Sequence, residues 1–264
     1  MPAPTILFND GAAYDRMMGV WSRLVGDIFL DWLAPAPGLI WADIGCGSGA
    51  FSALLAARCT PAKIYGIDPS EAQLIQARKS TAAAVAEFRQ GDAMALPYAD
   101  ASADAAAMAL VLFFVPDPAK GVAEMVRVVK PGGLISAYVW AVPDGGAPIE
   151  PFWSSLREMG VQPPQPPSAA VSRMAALRAA WDDAGIDAVE TREIRVQRSF
   201  PDFAAFWDIT ATGSGIADAI KLLSQDDAAR LKARVETKMP IAPDGSLRYE
   251  SWANAVKGVR PRAA

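Results

Sequence analysis

The segment Trp41-Ala-Asp-Ile-Gly-Cys-Gly-Ser-Gly-Ala50 constrains this chain more than any other stretch. Glycines at 45, 47 and 49 follow the apolar run Leu39 to Ile44 and precede Phe51 to Arg58, whose spacing suits a helix. Glycine adopts positive φ without steric cost, so a buried strand can turn sharply into a helix here, and a ligand can approach the backbone with no Cβ in the way. Free amides at the start of that helix can receive a carboxylate or a phosphate.

The same alternation continues downstream. Lys63 to Ile67 reads as a strand, Ser70 to Ala84 as a helix opened by a serine cap, and Ala86 to Arg89 as a strand. Ala103 to Val111 reads as a strand, Pro118 to Val129 as a helix, and Leu134 to Trp140 as a strand after the turn Lys130-Pro-Gly-Gly133. Strands separated by helices in strict succession imply right-handed crossovers and a doubly wound α/β sheet covered on both faces. Ahead of it, Tyr14 to Leu33 places Met17, Val20, Trp21, Leu24, Val25, Ile28, Phe29 and Trp32 at helical spacing, a leading amphipathic helix stopped by Pro35, Pro37 and Gly38.

Beyond Trp140 the rhythm loosens. Pro143, Pro148 and Pro151, then Pro163, Pro164, Pro166 and Pro167, read as an exposed connection. Ser172 to Ala184 resumes as a helix, Ala188 to Gln197 as a strand, Pro201 to Thr210 and Ser224 to Lys238 as helices, and Leu247 to Val259 as a last strand. The expected organisation is one domain over 1–264, with a helical cover at 1–38, a ligand-binding core at 39–140, and carboxy-terminal strands with helical lid insertions at 141–264.

Composition excludes several chemistries. Histidine is absent, which removes imidazole-activated nucleophiles, histidine zinc sites and histidine general bases. Cys46 and Cys59 are too few for an all-thiolate metal site, so no metal is expected, and free thiols in a reducing cytoplasm are the simplest reading. Twenty-five basic against 29 acidic side chains leave a net charge of −4, with no overall attraction for a nucleic-acid backbone or an anionic bilayer. Small molecules are the expected partners. The apolar run Ala105 to Val115 falls short of the roughly 18 residues a membrane span needs, and Met1 to Asp10 carries no signal-like pattern.

Two acids extend the glycine loop into a binding line. Asp68 closes the second strand 19 residues beyond Gly49, where a carboxylate can accept hydrogen bonds from both ribose hydroxyls. Gln90-Gly-Asp-Ala93 ends the third strand, with Leu96-Pro97 after it, and an acid there can receive the exocyclic amine of adenine. Because Gly45, Gly47 and Ala50 also satisfy the dinucleotide fingerprint, the loop alone leaves a nicotinamide-dependent oxidoreductase open.

Four motifs in order, Asp43-Ile-Gly-Cys-Gly-Ser-Gly49, Tyr65-Gly-Ile-Asp-Pro-Ser70, Gly91-Asp-Ala93 with Leu96-Pro97, and Val129-Lys-Pro-Gly-Gly133, give a further resemblance. The chain from Tyr14 to Trp140 resembles the class I S-adenosylmethionine-dependent methyltransferases, in the small-molecule group that includes the ubiquinone and menaquinone methylases. That resemblance implies a Rossmann-like seven-stranded sheet, mostly parallel with an antiparallel last strand, and S-adenosyl-L-methionine as cofactor. Gly45 and Gly47 would pass beneath its methionine part, Asp68 would hold the ribose, and Asp92 with the Ala93 amide the adenine edge. Cys46, Pro69, Gln73 and Ala109 complete the expected cofactor set. Simpler roles stay open: Gly49 for helix packing, Asp43 as a brace for the loop.

On the acceptor side, Phe113 and Phe114 stand where many relatives carry a polar or histidine pair, which points to an apolar wall. Phe113, Trp153 and Trp207 are the expected boundary of a cavity for a hydrophobic or aromatic acceptor, methylated by in-line displacement. Tyr14 and Arg23 are candidates for covering the cofactor, and Tyr14, Glu150, Asp208 or bulk water for taking a proton. A non-catalytic cofactor-binding protein is the remaining alternative.

Overall fold

The computed structural model describes residues 15–213 and 216–262. Tyr14 lies outside the described residues. Seven strands, β1 (Ile40–Ile44), β2 (Lys63–Asp68), β3 (Ala86–Gln90), β4 (Ala103–Ala109), β5 (Val129–Trp140), β6 (Asp187–Phe200) and β7 (Leu247–Val259), form one sheet in the order β3-β2-β1-β4-β5-β7-β6. The pairings from β3 through β5 are parallel, and β7 runs antiparallel to both β5 and β6. Strand order reverses between β1 and β4, and in open α/β sheets the crevice beyond the carboxyl ends of the strands at such a switch point is where ligands bind.

The helices follow the crossovers. They are α1 (Val20–Leu33), α2 (Ala50–Cys59), α3 (Glu71–Ala77), α4 (Pro118–Val128), α5 (Glu150–Glu158), α6 (Met174–Asp183), α7 (Phe203–Ala211), α8 (Ile216–Lys221) and α9 (Gln225–Thr237). Trp41, Ala42, Asp43 and Ile44 of β1 are all fully buried, as are Ala105, Ala106 and Ala107 of β4, because helices cover both faces of a parallel sheet. Small alanines on the two faces of β4 let the covering helices approach closely.

The amino-terminal helix is docked on the site side of the sheet. Gly26 in α1 lies so close to α2 that an added Cβ would sit 2.7 Å from Leu54 Cδ2 and 3.3 Å from the Tyr138 hydroxyl. On the solvent side, Arg58 donates to the Asp27 carbonyl at 2.8 Å, to Asp27 Oδ1 at 2.9 Å and to Asp31 Oδ1 at 2.5 Å. This seam sets Ser22 and Arg23, one turn upstream of Gly26, at the top of the sheet.

Several boundaries differ from the sequence expectation. Ser70 does cap α3, its hydroxyl accepting from the Gln73 amide at 3.4 Å, but the helix stops at Ala77. Tight turns closed by Lys79 N to Gln76 O and Ser80 N to Ala77 O end it, and Thr81–Ala84 form a separate 3-10 turn. The β4 strand ends at Ala109 instead of Val111, because Leu110 takes a left-handed φ of 63° and Leu112–Phe114 form a 3-10 turn. Lys130 to Gly133 belongs to β5, its backbone held by Gly132 N to Arg260 O at 2.8 Å and Arg260 N to Gly133 O at 2.9 Å.

The larger correction concerns 143–167, which the prolines mark as an exposed connection. Pro151 instead lies in the first turn of α5, where its missing N–H costs nothing, and Phe152 and Leu156 are fully buried. Phe152 stacks on Trp207 with ring centroids 5.1 Å apart, joining α5 to α7. The short helix α8 was also not foreseen. Replacing Phe152 by alanine is expected to cost about 3–5 kcal/mol in urea unfolding, as for a core aromatic. A loss within about 0.5 kcal/mol, normal for an exposed connection, would contradict the α5 packing.

Candidate functional site

A cavity of about 450 Å³ opens at the carboxyl ends of β1, β2 and β4, within the usual size range of small-molecule sites. Its floor is the glycine loop. Gly45, Gly47 and Gly49 have φ of 73°, 53° and 87°. A Cβ on Gly45 would sit 2.5 Å from the Val111 methyls, and one on Gly49 3.2 Å from Ala77 Cα, so both glycines serve packing as well as the turn. Gly47 differs. A Cβ there would meet nothing within 4 Å, so its Cα faces open space that a ligand can occupy.

Two hydrogen-bond sets lock this loop to β2. The Gly45 and Cys46 amides both donate to the Ile67 carbonyl, at 2.7 and 2.9 Å. Asp68 then accepts from Gly47 N at 2.9 Å with Oδ2 and from Ser70 N at 2.8 Å with Oδ1. Burial pushes the Asp68 carboxyl above its usual range, opposed by the Ser70 and Gly47 amides. Each carboxylate oxygen has two acceptor sites, so after these bonds both can still receive a hydroxyl.

Asp43 is the most unusual group in the cavity lining. It is fully buried, Oδ2 accepts from the Ser52 hydroxyl at 2.5 Å, and Oδ1 has no hydrogen-bond partner among the described residues. Burial raises its pKa from 3.8 to about 7; the Ser52 hydroxyl opposes this and the nearby Asp68 charge adds to it. A buried acceptor left without a partner costs free energy until a donor or cation reaches it. Cys46, also in the lining, has its thiol pushed well up by burial and stays neutral, which excludes it as a thiolate nucleophile.

Gly45, Cys46, Gly47, Asp68, Pro69, Gln73, Asp92, Ala93 and Ala109, separated widely in sequence, all line this one cavity. Asp92 is exposed, and its Oδ1 accepts from the Met94 amide at 2.8 Å, which shapes the start of the loop after β3. Arg23 lines the cavity too and is the only Lys or Arg among the described lining residues, which include three carboxylates. Sequence reasoning missed Phe51, Leu54 and Tyr138. Their apolar spacing reads as core, and only the docking of α1 and α2 leaves them beside open space.

Phe113, Trp153 and Trp207 are absent from the described lining. Phe113 is 3% exposed and Trp153 4%, both packed in the core, while Trp207 stacks on Phe152 and lies under the Lys232 ammonium. Phe114 takes the wall position instead, with Leu110, Val111, Val115, Pro116 and Tyr138. The 3-10 turn after β4 turns Leu112 and Phe113 inward and leaves Phe114 toward the cavity, a choice that alternation along a strand could not reveal. Glu150 is paired with Arg157, and Asp208 is exposed on α7; neither is in the described lining.

Comparison with known proteins bears on the same segment. Residues 42–137 match the family model described as a methyltransferase domain. Those residues form a methyltransferase domain. The chain is also 40% identical over 122 residues to a demethylmenaquinone methyltransferase of Desulfitobacterium hafniense, a match covering 44% of this chain and 48% of that one. The chain thus spans about half the length of that relative. In fold, it is similar to phosphoethanolamine N-methyltransferase 2 of Haemonchus contortus, in complex with S-adenosyl-L-methionine, at a TM-score of 0.60 and 18% identity over 96% of this chain and 57% of that one. The [4+2]-cyclase SpnF is similar at a TM-score of 0.56 and 21% identity over 100% of this chain and 88% of that one.

The titration of Asp43 gives the first test of the site. Between about pH 4 and pH 7 an unfolded chain has released this proton while the folded chain retains it, so this group's contribution to stability falls as pH rises through that window. Asp43→Asn cannot titrate. Without ligand, its melting temperature relative to wild type is therefore expected to rise between about pH 4 and about pH 8, and a difference that does not change with pH would contradict the buried acid.

Proposed function

We propose that this chain transfers a methyl group from S-adenosyl-L-methionine to a small apolar or aromatic acceptor. The observation that carries the reading is the charge pattern of the cavity. Asp43, Asp68 and Asp92 line it, and Asp43 keeps a buried oxygen without a partner among the described residues. A ligand bearing an ammonium and a sulfonium complements these acids. A dinucleotide would set its diphosphate against the same three carboxylates, with Arg23 the one cation among the described lining residues to offset them, which disfavours the nicotinamide alternative.

The residues fit that cofactor in named places. Asp43 Oδ1 receives the ammonium, Arg23 the carboxylate, Asp68 the ribose hydroxyls through its remaining lone pairs, and Asp92 with Ala93 the adenine edge. Gly47 leaves the space that the amino-acid portion occupies. When bound, the cofactor supplies an electrophilic methyl group on sulfur. Leu110, Val111, Phe114 and Tyr138 exclude water around that position and hold an apolar acceptor in line, which is the main requirement of a direct displacement.

Acceptor chemistry follows from the wall. The chain after β4 contributes Leu110, Val111, Phe114, Val115 and Pro116 to the lining, with no carboxylate among them. A flat, apolar ring suits this surface, and the demethylmenaquinone relative makes a reduced quinone the first acceptor to try.

Two measurements test the proposal. In calorimetric titrations, wild type is expected to bind S-adenosylhomocysteine and not NAD, and Asp68→Ala to weaken that binding about 100-fold, as for two lost charge-assisted hydrogen bonds. Unaltered affinity in Asp68→Ala would overturn the cofactor assignment. Incubation with methyl-labelled cofactor and a panel of reduced naphthoquinones and benzoquinones is expected to give labelled product, with Phe114→Ala raising the acceptor KM and leaving S-adenosylhomocysteine affinity unchanged. Cofactor binding without transfer to any aromatic acceptor would favour the non-catalytic alternative.

A further inference from the structure

We infer that Arg127, on α4 and outside the cavity, is the positioning residue that gives the site its preference for adenine. The inference rests on the proposed role of Asp92. The loop from Gly91 to Ser102, which carries Asp92 and Ala93, joins β3 to β4 and has only the isolated bridge between Asp92 and Ala95 as sheet pairing. Its shape therefore depends on side chains.

Arg127 supplies them. Nη1 donates to the Tyr98 carbonyl at 2.7 Å and to Asp100 Oδ1 at 2.8 Å, and Nη2 donates to the Leu96 carbonyl at 3.0 Å. Nε and Nη2 donate to the two oxygens of Glu124, each at 2.7 Å. All five N–H groups of the guanidinium are thus used, three of them on the loop. Glu124 closes the frame by accepting the Leu96 amide at 2.7 Å, and the Ala101 amide donates to the Arg127 carbonyl at 3.0 Å. The loop is gripped at Leu96, Tyr98, Asp100 and Ala101 by one turn of α4.

That grip fixes where Asp92 stands. A Cβ on Gly91 would sit 2.9 Å from Ile67 Cγ2 and 3.3 Å from Pro97 Cδ, so the Leu96-Pro97 end is folded back against the base of the strand that leads into Asp92. Leu96 is 5% exposed and anchors that fold in the core. Releasing the outer end lets Asp92 drift relative to Asp68 while leaving the strands intact. A planar fork with five donors can hold these acceptors together; a lysine ammonium, with three donors at one point, cannot.

The test compares S-adenosylhomocysteine with S-inosylhomocysteine, in which a carbonyl replaces the exocyclic amine and N1 carries a proton, by calorimetry on the full chain. Wild type is expected to prefer the adenosyl compound by about tenfold, the worth of one charge-assisted hydrogen bond. In Arg127→Met the preference is expected to fall below about twofold and in Arg127→Lys to lie between, with affinity for the inosyl compound changed less than about threefold. A merely structural role would weaken both ligands together and leave their ratio untouched, and that result overturns the inference. Should Arg127→Met fail to fold by circular dichroism, Glu124→Gln, which weakens the same frame, is expected to lower the ratio, and an unchanged ratio there is equally decisive. If wild type itself shows no preference, the Asp92 assignment fails and the inference with it; if wild type discriminates and the variants do too, only the inference fails.

Discussion

One carboxylate holds the site together. Asp68 sits at the end of β2 and takes the Gly47 amide with one oxygen and the Ser70 amide with the other, so the glycine loop and the start of α3 are positioned by a single side chain. With Gly45 and Cys46 both tied to the Ile67 carbonyl, the turn after β1 cannot relax without breaking the end of β2. The positive φ values of Gly45, Gly47 and Gly49 are what let the backbone come this close. The space over Gly47 and the free lone pairs of Asp68 are consequences of that arrangement.

The same arrangement concentrates negative charge where it is least solvated. Asp43 is fully buried and its Oδ1 lacks a partner among the described residues, a condition that burial penalises unless a donor or cation arrives. Among the described residues, the chain after β4, which leaves its strand at Leu110, brings only uncharged groups to the lining. The described lining thus joins acids from the strand ends to an uncharged, apolar segment after β4. The fold does not dictate that division, since a [4+2]-cyclase is similar in fold to this chain. Reaction type follows from the residues that line the crevice.

Legibility in the sequence tracked how local each constraint was. The glycine loop, the Ser70 cap and the first strands were readable because turn chemistry, capping and apolar runs act within a few residues. The helix over Glu150–Glu158 was not, because its prolines resemble those of a loop and its support is the distant ring of Trp207. Likewise Phe113 and Phe114 are equivalent by composition, and the left-handed Leu110 between strand and turn decides which of them faces the cavity. Arg127 shows the same limit from another direction, since a charged residue on an amphipathic helix has no local sign that its fork closes on a loop 27 to 31 residues earlier.

The order of residues by itself determined the alternation of strands and helices, the glycine turn and the acids at the strand ends, because each depends on backbone preferences or short-range hydrogen bonds. Tertiary structure alone decided that nine dispersed residues line one cavity, that Asp43 is buried in it with a raised pKa, and that Phe114 and Tyr138 are in its described lining while Phe113, Trp153 and Trp207 are not. Burial and solvation arise from how separate elements pack, and packing is a property of the whole sheet and its helices, beyond the reach of any single segment.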